Sequence, residues 1–82
     1  MTDEKFRNKY YNPYLETWKI LKLIQYADQT SDTDEQWIRY DAEIDRLRAT
    51  YPGNKFAEML IRLLYDAGDA IKEDNRKEVP ID

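Results

Sequence analysis

Eighty-two residues make one domain, near the size at which a single core is only marginally sufficient. The chain has no Cys and no His, which excludes disulfides, thiolate chemistry, imidazole bases and nearly every zinc or transition-metal site. Charged residues form 37% of it and the net charge is −4, a balance without the basic face that a phosphate-backbone binder carries.

The N-terminal run Met1-Thr2-Asp3-Glu4-Lys5 has no apolar stretch after its charges, so it does not read as a secretory signal. No segment approaches the ~20 uninterrupted apolar residues of a membrane span. The expectation is a cytoplasmic protein with no membrane association, and the lack of Cys fits a reducing compartment.

Turn and cap signals divide residues 1–82 into the helices of a single all-α domain. The first segment contains Pro13 behind Asn12, a good N-cap followed by a residue suited to the first helical position. The spacing predicts a short helix over about 3–11 and a main helix over about 13–28. A single kinked helix is the alternative. Ile20, Ile24 and Ala27 form the centre of the apolar stripe, and Trp18, Leu21 and Leu23 widen it. Such breadth predicts burial against more than one neighbour.

Gln29-Thr30-Ser31-Asp32-Thr33 makes the first break. Ser31, Asp32 and Thr33 each have an acid or amide three residues on, so a helix starts here in one of three registers. Over about 33–51 it carries Trp37, Tyr40, Ile44, Leu47 and Tyr51 in one narrow seam, with Arg39, Glu43 and Arg46 opposite. Tyr51-Pro52-Gly53-Asn54 is the second break, with Asn54 able to cap the next helix.

That helix, about 55–74, is the most apolar. Phe56, Leu60, Leu63, Ala67 and Ala70 run along one line; Ala57, Ile61, Leu64, Gly68 and Ile71 widen it; Met59 borders it. Glu58–Arg62 and Arg62–Asp66 have the spacing of helical ion pairs. Gly68 weakens a helix by about 1 kcal/mol, which points to a close backbone approach. The tail, 75–82, loses periodicity and is expected to fray. Both connections are short, so the expected architecture is an antiparallel three-helix bundle with an additional short N-terminal helix.

Candidate chemistry is sparse. Asp66, Asp69 and Glu73 share one helical face with a spacing that could hold Mg²⁺ for a phosphohydrolase, but no second acidic cluster matches them. A solvated face beside Arg62 and Lys72 is the simpler reading. Asp32, Asp34, Glu35, Asp41 and Asp45 could form the negative surface of an acidic inhibitor of a nucleic-acid-acting enzyme, provided that Arg39, Arg46 and Arg48 do not break it up. Both glycines stand alone, so there is no phosphate loop. Without His the usual hydrolytic triad is impossible. Lys5, Arg7, Lys9, Lys19 and Lys22 lie among aromatics, but neighbouring acids make the segment nearly neutral, and no direct nucleic-acid binding is expected.

The aromatic surplus is more informative. Phe6, Tyr10, Tyr11, Tyr14 and Trp18 are followed by Tyr26, Trp37, Tyr40, Tyr51, Phe56 and Tyr65. Most of these rings are expected to enlarge the core. Tyr65 projects to the polar side of its helix and Tyr11 and Tyr26 lie off the stripe centres, so these three are the candidate exposed contact residues.

The short, acidic, helical profile is similar in size and composition to bacteriocin immunity proteins and small phage-encoded inhibitors. The run Tyr26-Ala27-Asp28 with Asp34-Glu35 resembles a helix junction of colicin immunity proteins. The paired tyrosines of that family are missing from the matching later region, so the resemblance assigns no site residues. The expected function is a non-enzymatic protein-interaction module of a bacterium or phage, without cofactor or metal, that binds a protein partner or self-associates as a dimer.

Overall fold

The computed structural model describes residues 1–26 and 35–77, with side chains as far as Asn75. Among the described residues every regular element is helical. The capping cluster Ser31-Asp32-Thr33, the stripe residue Ala27 and the expected helix end at Asp28 lie outside them.

The first helix opens at Thr2, whose backbone is extended and whose hydroxyl accepts from the Lys5 N–H at 3.2 Å. The chain then passes through α1 (Asp3–Phe6), a π-helical segment (Arg7–Tyr11) and α2 (Asn12–Lys22) without a break. Phe6, Arg7, Tyr11 and Asn12 all keep right-handed helical angles, with φ from −61° to −68°. Asn12 therefore sits inside the helix instead of capping its start, and the expected separate short helix over 3–11 does not form.

The reason lies in Pro13. Its ring crowds the carbonyl four residues back, Lys9, and it has no N–H to offer that group. The π segment widens the turn by one residue, and the Asn12 N–H reaches the Arg7 carbonyl. The Lys9 carbonyl accepts instead from Asn54 Nδ2, at 2.9 Å, in the turn before the last helix. Pro13 itself is buried, and its carbonyl accepts from the buried Thr17 hydroxyl at 2.8 Å.

α2 ends at Lys22, short of the expected Asp28. Beyond it the N–H groups of Leu23, Ile24 and Gln25 donate to carbonyls three residues back at 3.1, 3.2 and 3.4 Å. This tightening satisfies part of the helix end and accompanies full burial of Ile24.

α3 (Glu35–Thr50) carries the narrow seam as expected: Tyr40, Ile44 and Leu47 are buried, with Trp37 and Tyr51 packed at their edges. After it Gly53 adopts φ +73°, the left-handed conformation the turn needs. Asn54 then caps α4 (Lys55–Lys77), its Oδ1 accepting from the Ala57 N–H at 3.1 Å. α4 runs past the expected end at Asp74, so Asn75 does not stop it.

The face of α4 that is buried is rotated from the one expected. Ala57, Leu60, Ile61, Leu64 and Gly68 are buried, whereas Leu63 and Ala70 are exposed. The rotation follows from α3, whose Trp37 and Tyr40 rings lie over Gly68 and need a small residue beneath them. A methyl group on Gly68 would stand 3.6 Å from the Tyr40 ring and 3.7 Å from the Trp37 ring. Gly68 thus faces side chains, not the close backbone that its propensity cost suggested.

Ile20 and Ile24 of the first segment, Tyr40, Ile44 and Leu47 of α3, and Ile61 and Leu64 of α4 form one buried cluster. Burial of each aliphatic chain stabilises the fold by roughly 1.5–3 kcal/mol relative to exposure. The Tyr40 hydroxyl donates to the Leu64 carbonyl across this core. Burial first, then the charge of Asp41 and the neighbouring Tyr65, push the Tyr40 phenol up from its ordinary value of 10.0. At the rim, Arg46 of α3 bridges Glu43 at 2.6 Å and Glu16 of α2 at 3.2 Å. At the other edge the Tyr10 and Phe56 rings meet with centroids 5.2 Å apart.

Candidate interaction surface

The first helix presents two offset stripes with helical spacing. Pro13, Thr17, Ile20 and Ile24 face the core. Tyr11, Tyr14, Leu15 and Trp18 face outward, with Tyr14 61% and Trp18 59% exposed. The breadth of apolar residues here predicted that Trp18 would be buried against a further neighbour. It is not: the helix has α3 and α4 beside it and no third element among the described residues.

Trp18 and Leu21 line a groove whose opposite wall is Ile71 and Asp74 of α4. One turn earlier on the same flank of α4 come Ala67 and Ala70, and before them Leu63, 48% exposed, and Met59, 66% exposed. Met59, Leu63, Ala67 and Ala70 line a shallow apolar hollow edged by Arg62 and Asp66. The outward aromatics of the first helix and the apolar flank of α4 therefore belong to one side of the molecule, joined at the Trp18–Ile71 groove.

The three residues singled out from the sequence are exposed: Tyr11 52%, Tyr26 83% and Tyr65 46%. They are not gathered into one site. Tyr26 lines the Trp18–Ile71 groove, whereas Tyr65 lines a separate hollow with Trp37, Tyr40 and Asp41 between α3 and α4. In that second hollow Lys72 Nζ lies 4.5 Å from the centre of the Trp37 ring, a cation–π contact that leaves Lys72 close to Asp41 and Asp69. Tyr14, Trp18, Met59 and Leu63 were missed. Their signal was a second stripe, offset from the first, at the same helical spacing.

The acidic candidates are dispersed. Asp66, Asp69 and Glu73 are exposed along α4, and among the described residues no three His, Cys, Asp or Glu side chains converge as a metal group. Asp45 is paired with Arg48 at 3.4 Å, and Glu43 with Arg46. Asp32 and Asp34 lie outside the described residues. The Glu58–Arg62 and Arg62–Asp66 ion pairs expected from spacing do not form; among the described residues neither Arg62 nor Asp66 has an ion-pair partner.

No helix among the described residues is long and apolar enough to cross a membrane. Comparison with protein-family models, with curated proteins and with solved structures gives no match.

Proposed function

We propose that this chain is a non-enzymatic protein-interaction module, an antiparallel three-helix bundle that binds through the side formed by its first helix and α4. The bundle reading is supported by the end-to-end contacts. Tyr10 and Trp18 lie beside Phe56 and Ile71, so the first helix and α4 run in the same direction. Trp37 meets Lys72 and Tyr40 meets Leu64, so α3 runs opposite to α4 and therefore to the first helix.

One observation carries the functional reading: Tyr14, Trp18, Met59 and Leu63 are all about half exposed or more, on one side of the described residues. Large exposed apolar groups that continue into one another mark interaction surfaces more than scattered ones do. Trp and Tyr are also the residues most enriched where binding energy concentrates.

The test is affinity capture from the native cell with the tagged full chain and with a Trp18→Glu/Leu63→Glu variant. Both positions are exposed, so far-ultraviolet circular dichroism and the unfolding midpoint should change little. The expected result is a set of captured proteins, the untagged chain itself included, that the variant loses. An identical set from a folded variant would end the reading.

A further inference from the structure

We infer that the α4 flank is covered by a second copy of this chain, packed antiparallel along α4 about a two-fold axis near Leu64–Tyr65. The inference rests on the interaction reading above and names its partner.

Size complementarity comes first. The flank is bulky at its N-terminal half, Met59 and Leu63, and small at its C-terminal half, Ala67 and Ala70. An isologous two-fold contact pairs each patch with its own reverse. Here it sets Met59 over the partner subunit's Ala70 and Leu63 over the partner subunit's Ala67, knobs against low ground on both sides. A parallel copy would set bulk against bulk and leave the alanines facing each other across a gap.

Charge complementarity is independent of that. Arg62 and Asp66 edge the hollow one turn apart, and neither has an ion-pair partner among the described residues. The same antiparallel arrangement brings Arg62 to the partner subunit's Asp66, twice by symmetry. A parallel copy would carry Arg62 and Asp66 to the opposite edge of the patch from their equivalents and form neither pair, so only the antiparallel direction gains the charge contacts.

Area sets the strength. Tyr14 at 61%, Trp18 at 59%, Met59 at 66% and Leu63 at 48% exposure, with the alanines and the stems of Arg62 and Asp66, offer on the order of 600 Å² per protomer. Doubled, that is about the ~1,200 Å² at the low end of specific interfaces. An interface of that size is expected to be a reversible one.

Sedimentation equilibrium of the full chain from about 1 µM to about 1 mM reads the association directly. The expected result is a monomer–dimer equilibrium in which Arg62→Asp or Asp66→Arg alone raises Kd by about tenfold or more, while the two together restore it. The restoration separates a contact across the interface from damage to α4. Direction is read by disulfide formation, since the chain has no cysteine of its own. A mixture of Met59→Cys and Ala70→Cys should cross-link to each other far faster than either does to itself. In the antiparallel pair two copies of position 59 stand ~17 Å apart along the axis. A monomer at every concentration, or an equilibrium indifferent to both charge reversals, overturns the dimer. Either result leaves the broader reading to the capture experiment, which fails only if the Trp18→Glu/Leu63→Glu variant still retains every partner.

Discussion

Asn54 holds two helices with one side chain, and its two functions can be separated. Oδ1 caps α4 at the Ala57 N–H, and Nδ2 supplies the Lys9 carbonyl with the hydrogen bond that Pro13 cannot. Asn54→Asp keeps a good cap but replaces the donor with an anion facing a carbonyl oxygen. The Lys9 carbonyl is exposed enough to be hydrated, so the loss is a net hydrogen bond, about 1 kcal/mol, and not a buried unsatisfied group. Asn54→Ala removes the cap as well, another ~1 kcal/mol. For a domain of this size each kcal/mol moves the midpoint by about 4–8 °C, so the expected drops are about 4–8 °C for Asn54→Asp and about 8–16 °C for Asn54→Ala. Both are measured by thermal and urea unfolding at one protein concentration, because self-association shifts midpoints. The decisive arm is Pro13→Ala. With an N–H restored at position 13, the Lys9 carbonyl regains an intrahelical donor, and Asn54→Asp should then cost almost nothing. A coupling energy of about 1 kcal/mol between the two positions is expected. If Asn54→Asp costs as much beside Pro13→Ala as it does alone, the proposed link between the proline and the asparagine is wrong.

Gly68→Ala should stabilise the domain by about 0.5–1 kcal/mol, because the added methyl meets the Tyr40 and Trp37 rings at ordinary contact distance while helix propensity improves. Gly68→Leu should destabilise it, and a urea midpoint for Gly68→Ala at or below that of the parent would show the site to be tighter than its geometry. At Gly53, φ +73° with nothing within 4 Å of a built Cβ makes the conformational cost separable from crowding. Gly53→Ala should lower stability by about 1–2 kcal/mol, with Gly53→Asn losing less. Tyr40 predicts an alkaline limit. Its folded phenol titrates above 10.0, so from about pH 10 upward the unfolded chain releases a proton that the folded chain keeps. The neutral phenol's contribution is whole below pH 10 and is lost as pH rises beyond it, at up to about 1.4 kcal/mol per pH unit. Tyr40→Phe should lower stability near neutrality by about 1 kcal/mol and flatten the alkaline fall; an unchanged alkaline slope in that variant would assign the fall to other groups.

Legibility in the sequence differed from helix to helix for a physical reason. The seam of α3 is legible in the sequence because it is narrow: one stripe, with charge opposite, leaves one orientation. α4 has apolar residues over more than half its circumference, so periodicity alone could not say which line faces inward. The choice was made by α3, whose rings lie over position 68 and need a small residue beneath them, and that requirement is visible only once the two helices are paired. Pro13 behind Asn12 has the sequence pattern of a helix start, yet it lies inside a continuous helix. The sequence does not reveal that Asn54, more than forty residues away, can take over the carbonyl that an internal proline releases.

The same limit explains why the candidate surface was only partly found. Periodicity reports that a helix has an apolar stripe; it does not report whether anything lies against it. Trp18 and Ile20 are two residues apart and both apolar, yet one is exposed and the other buried, because among the described residues the first helix has neighbours on one side only. Tyr11, Tyr26 and Tyr65 were selected for lying off the stripe centres, which identifies exposure but not adjacency, and they end at different places. Adjacency came from the register of the first helix against α4, which brings Trp18 to Ile71 and so joins two half-stripes into one side. On this account the apolar excess of the first helix and that of α4 have the same origin. Each helix carries the residues for one more neighbour than the described residues supply, and under the proposed antiparallel pairing of Met59 and Leu63 with Ala70 and Ala67 that neighbour is a second copy.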